Sequence, residues 1–302
     1  MLASKAPGHG FRLKMALLDN LSPGHRWKDV VRTRLRNRTR HIKGALARFA
    51  ALLLVSCPGP VLAVNSEPIQ ANRPGQADPP TVLPAGVAQI EGGVTFERQT
   101  GDSPDTDTLS VPELELRLGI HERLELQLFI DGIVHEWRDS DGNHTGVSDL
   151  QIDMRALLCE QEGWRPAMAI DFGLSLPTGS DFVTSDGIDP EAEILYAWDI
   201  AEHWNLNGNF DFASESQGRD DSSRHFIFRP ELALGLAISE RLGAFVEYYG
   251  VIEEDADNQH SMDSGLTLLM NNDLQLDISA GAGLNDAAPD FFVAAGIAWR
   301  LP

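Results

Sequence analysis

Strict alternation of apolar and polar residues from Val87 onward is the feature that most constrains the fold of this 302-residue chain. In one stretch, Leu114, Leu116 and Leu118 alternate with Glu115 and Arg117. A two-residue period is typical of β-strands that have one apolar and one polar face. Twelve such stretches occur, at 87–97, 113–120, 124–131, 149–158, 168–176, 193–200, 204–212, 226–236, 242–250, 261–270, 274–284 and 291–301. The sequence therefore predicts an all-β fold of about twelve strands.

The connections between these stretches alternate in length. Short ones fall at 121–123, 160–163, 201–203, 239–241 and 271–273, and long acidic ones rich in Gly, Ser and Asp fall near 98–109, 134–147, 177–190, 213–223, 251–260 and 285–290. Short turns at one end, long loops at the other and an even strand number are typical of a transmembrane β-barrel. We therefore expect an antiparallel up-and-down barrel over 87–302, with both termini and the short turns on the periplasmic side and the longer loops outside the cell.

Alternation alone leaves open which face is buried, because the strands of a soluble β-sandwich also alternate. The stretches run for about 9–11 residues, enough to cross a bilayer when tilted, whereas strands of globular proteins average about 5–6. Tyr196, Trp198 and Trp204 lie beside a short turn, and Trp299 lies near the C-terminus, where an interfacial aromatic girdle is expected. These observations favour outer-membrane lipid against the apolar face over the sandwich.

The first 63 residues have the organisation of an export signal. A basic flank precedes the apolar stretch 45–55, and the small residues before the peptide bond after Ala63 suit cleavage there. The flank is long, which leaves open a start at Met15 or later, and the residues before Cys57 leave open lipid attachment at that cysteine. We expect a signal peptide over 1–63, a periplasmic N-terminal extension over 64–86 and export to the bacterial outer membrane.

The charge distribution excludes some functions. Residues 1–63 hold 12 of the 24 Lys and Arg but two of the 45 Asp and Glu, which leaves 12 basic and 43 acidic residues in the rest of the chain. Such an acidic body repels phosphate backbones, so nucleic acid is not an expected partner. After the signal only Cys159 remains, so we expect no internal disulfide. Asp139-Ser-Asp-Gly-Asn143 resembles half of a calcium loop, but Leu150 stands where the twelfth-position glutamate belongs. We expect neither a metal site nor a cofactor.

Motifs between Asn72 and the C-terminus resemble one known family. They are Asn72-Arg73-Pro74, the stretch 83–93, and the stretches 117–126, 148–150, 176–180, 247–250, 263–266, 275–277 and 281–292. Through them the chain is similar to the bacterial outer-membrane barrels described as "Putative MetA-pathway of phenol degradation", often called transporters. Ser148 departs from the family's usual glycine, and Ala77-Asp-Pro-Pro80 departs from its Thr-Glu-Ser-Pro-like stretch. The resemblance implies an outer-membrane barrel that genome context in relatives links to uptake of small, often aromatic compounds.

If the polar face lines the lumen, the lumen is strongly acidic. The candidate lumen-lining residues are Glu91, Glu115, Arg117, Glu125, Gln127, Phe129, Asp131, Asp149, Asp153, Arg155, Asp171, Glu193, Arg229, Glu231, Phe245, Glu247, Asp263, Asp277, Phe292 and Arg300. Rings of carboxylates attract cations and repel anions, which favours a porin-like passage for a cation or a neutral solute. In the alternative interpretation the acids pair with the few arginines and fill a narrow twelve-stranded interior. If an aromatic solute passes, we expect it to enter near Phe129, Phe245 and Phe292; in the alternative interpretation these rings serve packing only.

The function we predict is passive passage of a small molecule, without catalytic residues. A closed structural or adhesion barrel is the alternative, and a barrel hydrolase is a third. His144 and Ser148 share a face, but residues four apart on a strand are about 13 Å apart, too far for a base to activate a hydroxyl directly. The barrel-assembly machinery is an expected partner during biogenesis. Because the chain ends at Pro302 rather than at an aromatic residue, we expect slow insertion unless Trp299 substitutes.

Overall fold

The structure of the chain is a computed structural model that describes residues 67–100, 105–138, 142–216, 223–254 and 256–301. The predicted signal peptide, the predicted lipid-attachment residue Cys57 and part of the candidate calcium loop at 139–143 fall outside these residues. The described residues all belong to one compact unit of the chain.

The described residues form fourteen strand segments that belong to one sheet. They are β1 (Ala88–Gln99), β2 (Thr106–His121), β3 (Leu124–Ile130), β4 (Ile133–Arg138), β5 (Gly142–Val147), β6 (Leu150–Cys159), β7 (Ala167–Leu176), β8 (Asp189–Ala201), β9 (Trp204–Ser216), β10 (Arg224–Ala237), β11 (Leu242–Glu253), β12 (Gln259–Asn271), β13 (Leu274–Gly283) and β14 (Phe291–Leu301). Each pairs antiparallel with its neighbours, and β1 pairs with both β2 and β14, which closes the sheet into a barrel.

Two pairs of segments are halves of single strands. β4 pairs with the first part of β2, and β3 pairs with its second part. On their other edges, β4 pairs with β5 and β3 pairs with β6. The break between β3 and β4 falls at Asp131-Gly132, where Gly132 has a φ of 73° and its backbone lies against the carbonyl of Pro112. With each pair counted once, twelve strands in the described part of the chain form the wall of the barrel. The predicted fold and strand number are confirmed.

One predicted loop is mostly strand. The sequence predicts a long loop over 134–147, whereas the structure has the β4–β5 hairpin there. The reason is that β2 begins at Thr106, several residues before its regular alternation, and its early residues require a partner. Leu109 pairs with His135 and Ser110 with Val134, so the hairpin extends the wall of the barrel beside β2.

The short connections occur where the alternation predicts them, after β2, β6, β8, β10 and β12. Ala88 at the start of β1 pairs with Leu301 at the end of β14 and with Leu118 near the end of β2. Both ends of the barrel wall therefore lie at the short-turn end, and the longer connections lie at the opposite end. We call these the turn end and the loop end.

The inner face of the wall is polar and buried, and the outer face is apolar and exposed, which is the reverse of a soluble β-sandwich. On the inner face Arg117 and Arg155 are 0% exposed and Glu91 is 1% exposed. On the outer face Phe172 is 59% exposed and Ile278 is 58% exposed. Exposed apolar strands around a polar interior are typical of transmembrane barrels, in which lipid covers the outer face. The sandwich alternative is therefore wrong.

Aromatic side chains cluster on the outer face of β8, β9 and β10. The ring of Tyr196 lies 5.7 Å from that of Trp198 and 5.5 Å from that of Phe210, and the rings of Phe212 and Phe228 stack at 5.0 Å. Large rings in contact at a lipid-facing surface bury apolar area and fix neighbouring strands in register. No helix in the described part of the chain is long and apolar enough to cross a membrane.

Candidate functional site

Residues 67–86, which we call the lumen segment, lie inside the barrel and not outside it. Near the turn end the Ile69 amide donates to the Asn272 carbonyl at 2.7 Å, and the Gly86 amide donates to the Gly119 carbonyl at 2.8 Å. Ile69, Ala77 and Leu83 are each less than 7% exposed. Of the periplasmic extension expected over 64–86, the residues from Ile69 onward lie against the inner wall, whereas Glu67 and Pro68 are exposed. The segment has no strand partner, which explains the absence of any periodicity.

Wall carboxylates accept hydrogen bonds from the backbone of the lumen segment. Glu91 accepts from the amides of Asn72 and Arg73 at 3.1 and 3.0 Å. Glu247 accepts from the amides of residues 76 and 77 at 2.8 and 2.6 Å, and Glu125 accepts from the Leu83 amide at 2.6 Å. A buried backbone amide without a partner is costly, so these carboxylates replace the ladder that the irregular segment lacks.

Two fully buried arginines connect the wall with the lumen segment. Arg117 donates to Glu125 at 2.7 Å and to the Gln70 carbonyl at 3.0 Å. Arg155 bonds Asp171 on the wall at 2.8 Å and donates to Asp78 of the segment at 2.6 Å. Removing a charge from water is expensive unless every donor finds an acceptor, and both guanidinium groups are surrounded by acceptors here. The segment and the wall therefore share one network of charges.

The twenty candidate lumen-lining residues fall into three groups. Those that bond or pair with the lumen segment are Glu91, Glu115, Arg117, Glu125, Arg155, Glu247, Asp277 and Arg300. Those that line a cavity without such a bond are Gln127, Phe129, Asp131, Asp153, Asp171, Glu193, Phe245 and Phe292. The remaining four, Asp149, Arg229, Glu231 and Asp263, line neither of the two cavities described below.

Those four residues have other surroundings. Asp149 accepts from the Gly179 amide at 2.7 Å and fixes the connection that follows β7. Arg229 pairs with Asp211 at 2.6 Å on the wall. Asp263 is 4% exposed and is the strand partner of Glu247. One carboxylate oxygen of Glu231 is buried without a hydrogen-bond partner among the described residues.

Two cavities remain in the lumen beside the segment. The first, of about 470 Å³, lies toward the loop end, and we call it the loop-side chamber. Its lining includes the carboxylates of Asp78, Glu97, Glu113, Glu115, Asp131, Asp153, Asp171, Glu191 and Glu193 and the rings of Phe129, Tyr249 and Phe292. Within the described part of the chain, Arg73 is the one basic residue in this lining. The chamber is therefore strongly acidic, with an aromatic side.

The second cavity, of about 520 Å³, lies toward the turn end, and we call it the turn-side chamber. Its wall is built mainly from small and amide-bearing residues, namely Ala167, Ala197, Asn205, Asn207, Ala233, Gly235, Gly243, Ala244 and Gln275, with Phe245 as its aromatic residue. The strands leave space here because their inward positions carry short side chains. Residues 72–75 line both chambers, and we call this stretch the partition.

The arrangement offers no support for metal binding or for a nucleophile–base pair. The described residues contain no cluster of three His, Cys, Asp or Glu side chains that could hold a metal ion. His144 stacks on Phe182 with ring centroids 4.8 Å apart, and the Ser148 hydroxyl bonds the Asp149 carbonyl oxygen at 3.4 Å. The two side chains proposed for a hydrolase are thus held by different partners.

The residues that the lumen segment contributes to the site were not among those predicted from the sequence. Asn72 donates to Glu115 at 2.8 Å, and Arg73 pairs with Glu113 at 3.0 Å. A polar stretch before the first strand carries no periodic signal that would place it inside a barrel. The available signal was the Asn72-Arg73-Pro74 motif, which belongs to the family resemblance but lies outside the predicted barrel.

One solved structure, with a TM-score above 0.5, supports the same fold, and two weaker similarities accompany it. An outer membrane channel from Pseudomonas putida is 17% identical with a TM-score of 0.59, over 73% of this chain and 97% of that chain. The NanC porin is 11% identical with a TM-score of 0.46, over 71% of this chain and 100% of that one. The β domain of the Bordetella autotransporter BrkA is 14% identical with a TM-score of 0.49, over 70% and 98%. No curated protein sequence matches significantly.

The family model described as "Putative MetA-pathway of phenol degradation" matches residues 71–301. This match begins inside the lumen segment and ends at the last residue of β14, so it includes the partition and every strand. The resemblance inferred from the motifs is confirmed, and the chain belongs to this family.

Proposed function

We propose that the protein resides in the bacterial outer membrane and lets a small solute pass passively between the outside and the periplasm. The observation that carries this proposal is the pair of chambers stacked in the lumen, of about 470 and 520 Å³, with only the partition lining both. Each chamber lies within the size range of small-molecule sites. A barrel with a purely structural role does not require two such spaces in series.

The charge of the loop-side chamber favours cationic and neutral solutes over anions. Glu97, Asp131 and Glu191 line it and form no ion pair with a described residue. Carboxylates around a narrow path attract cations and repel anions, and the field is weakly screened in a confined space. Phe129 and Phe292 give the same chamber an apolar surface against which a ring can pack. A small aromatic or hydrophobic cation fits both properties.

Liposome swelling with two solutes of similar size and opposite charge tests the proposal. Benzylammonium and benzoate both carry one aromatic ring, so their difference reports charge selection alone. We expect proteoliposomes to swell faster with benzylammonium, and we expect single-channel events in a planar bilayer with a reversal potential on the cation-selective side. The absence of both swelling and channel events in folded protein would refute passage.

The aromatic wall is tested by Phe129→Ala and Phe292→Ala. We expect slower swelling with benzylammonium in both variants and little change with a small alkylammonium ion. Phe172→Ala is the matched control, because Phe172 lies on the outer face and is 59% exposed. Equal rates in all three variants would remove the role assigned to the aromatic side of the chamber.

One observation favours the second candidate function, a closed structural barrel. The lumen segment is held by buried carboxylates and two buried arginines, and it occupies the middle of the lumen. If the segment blocks the whole cross-section, folded protein will show neither conductance nor swelling for any solute. The liposome experiment therefore distinguishes the two candidates.

A further inference from the structure

A row of four residues crosses the inner wall where the barrel closes. Gly93 on β1 pairs with Gly296 on β14 across the closing seam. On one side of this pair Gly93 is also the partner of Glu113 on β2, and on the other side Gly296 is also the partner of Asp277 on β13. The register thus places two glycines side by side between two carboxylates. We call this row the Arg73 slot.

The guanidinium group of Arg73 fills the slot. Its nitrogens lie 3.0 Å from the carboxylate of Glu113 and 3.5 Å from that of Asp277, whose side chain is 0% exposed. A Cβ atom added at Gly93 or at Gly296 would lie within 3.0 Å of the guanidinium, closer than real Cβ atoms approach. Both glycines are therefore needed for the side chain to lie flat against the wall.

The main chain of Arg73 also forms hydrogen bonds with the wall. Its amide donates to Glu91 at 3.0 Å, and its carbonyl accepts from the Gln275 side chain at 3.4 Å. These contacts fix the partition at the seam between β1 and β14. Charge and shape complementarity act together here, because a planar guanidinium suits a flat, side-chain-free surface between two carboxylates.

Arg73 also lies at the boundary between the two chambers. It is in the lining of both, and within the described part of the chain no other lysine or arginine is in either lining. We infer that Arg73 is the gating and charge-selecting residue of the passage: its side chain, seated in the slot, closes the route along the seam. This inference rests on the proposed passive passage and adds to it the residue that sets the size and charge of what passes.

Conductance and reversal potential of the full-length protein in planar bilayers test the inference. For Arg73→Gln we expect a higher conductance than for the unmodified protein, and a rise of about three-fold or more in the ratio of cation to anion permeability when one positive charge near the path is removed. For Arg73→Lys, which restores the charge without the planar fork, we expect the reversal potential to return toward the original value. A role confined to stability would leave the reversal potential unchanged.

Two glycine variants distinguish the effect of seating the guanidinium in the slot from the effect of its charge. Gly296→Ala excludes the guanidinium from its seat but keeps the charge in the lumen, so we expect higher conductance with a smaller change in reversal potential than for Arg73→Gln. Gly92→Ala is the matched control, because Gly92 is the neighbouring glycine on the opposite face of β1, where an added Cβ would lie 3.3 Å from a methyl of Leu114. We expect this control to behave as the unmodified protein does. Heat-modifiable electrophoretic mobility establishes that each variant is folded.

The outcomes separate the inference from the proposed function. If the unmodified protein conducts and both Arg73→Gln and Gly296→Ala match it in conductance and reversal potential, the inference is overturned and passive passage stands. If only the variants conduct, Arg73 is the gate and passive passage through the unmodified protein is refuted. If folded protein and folded variants neither conduct nor swell, both are overturned.

Discussion

Replacing Arg155 by methionine should detach the lumen segment from the wall. Arg155 is 0% exposed and bonds Asp171 on the neighbouring strand. Three of its hydrogen bonds reach the segment, to Asp78 at 2.6 Å and to the side-chain oxygen of Asn72 and the carbonyl of Pro79 at 3.1 Å each. Removing one partner of a buried ion pair costs about 3–5 kcal/mol, because the other charge remains buried without compensation.

The free energy lost on removing Arg155 has two parts, one from contacts within the wall and one from contacts with the lumen segment. A hydrogen bond to a charged group contributes about 1.5–3 kcal/mol, and bonds that share one guanidinium are not additive, so we assign about 3 kcal/mol to docking of the segment. A change of about 3 kcal/mol multiplies the equilibrium constant for detachment by about a hundred. Detachment would free the backbone amides of residues 72–83, several of which donate hydrogen bonds to wall carboxylates.

Hydrogen exchange followed by mass spectrometry in detergent measures this detachment directly. We expect amides of residues 67–86 to exchange about a hundred-fold faster in Arg155→Met, because local opening governs their exchange. Arg229→Met is the matched control: its partners Asp211 and Glu215 are on the wall, its side chain is 29% exposed, and it makes no bond to the segment. In this control we expect the exchange of 67–86 to stay unchanged.

A double variant tests the electrostatic part of the reasoning. Arg155→Met combined with Asp171→Asn should lose less stability in denaturant unfolding than Arg155→Met alone, because no unpaired carboxylate is left on the wall. If exchange of the segment in Arg155→Met equals that in Arg229→Met, the assigned role of Arg155 in docking is wrong. If the double variant is less stable than the single one, the cost does not come from an uncompensated charge.

Two further predictions concern the wall. Gly132→Ala should destabilise the barrel by about 1–3 kcal/mol in denaturant unfolding, because a φ of 73° strains any other residue and an added Cβ would collide with the Pro112 carbonyl. Gly163→Ala, with a φ of 60° but no atom within 4 Å of the added Cβ, should cost less, and an equal loss would show that the collision is unimportant. Trp299→Ala should slow folding into lipid vesicles, because Trp299 is a half-exposed aromatic residue on the outer face near the turn end, where it pairs with Ile90 and Leu274. An unchanged rate would contradict that role.

The wall of the barrel could be predicted from the sequence, because lipid on one side and a polar lumen on the other impose alternation on every strand. Leu116 and Arg117 differ in polarity for this reason alone, and the twelve strands follow from repeating the pattern. The β4–β5 hairpin was missed because it lies where both faces carry polar residues, as at His135 and Glu136, so the period is lost. Apolar and polar residues alternate only where the two faces of a strand meet different surroundings, such as lipid and the lumen, and the alternation is lost where both faces meet water.

The contents of the lumen could not be predicted in the same way. Asn72 and Arg73 lie in an irregular segment, and their hydrogen-bond partners Glu91 and Glu115 are 18 to 43 residues away along the chain. No local pattern in the sequence encodes such pairs. Gly93 and Gly296 are unremarkable in the sequence, since glycine is common in strands that approach another group closely. Their role becomes visible only when the register places them side by side beneath the Arg73 guanidinium.

The two interpretations of the acidic lumen apply to different carboxylates. Glu91, Glu125 and Glu247 accept backbone amides of the segment, so their charge is used for structure. Glu97 and Asp131 lie toward the loop end and form no ion pair with a described residue, so their charge acts on whatever enters the loop-side chamber. Neutralising a member of the first group should therefore loosen the segment, whereas neutralising a member of the second should change ion selectivity and leave the segment in place. If Glu97→Gln left the reversal potential unchanged while Glu247→Gln altered it without faster exchange in the segment, this division of the carboxylates would be wrong.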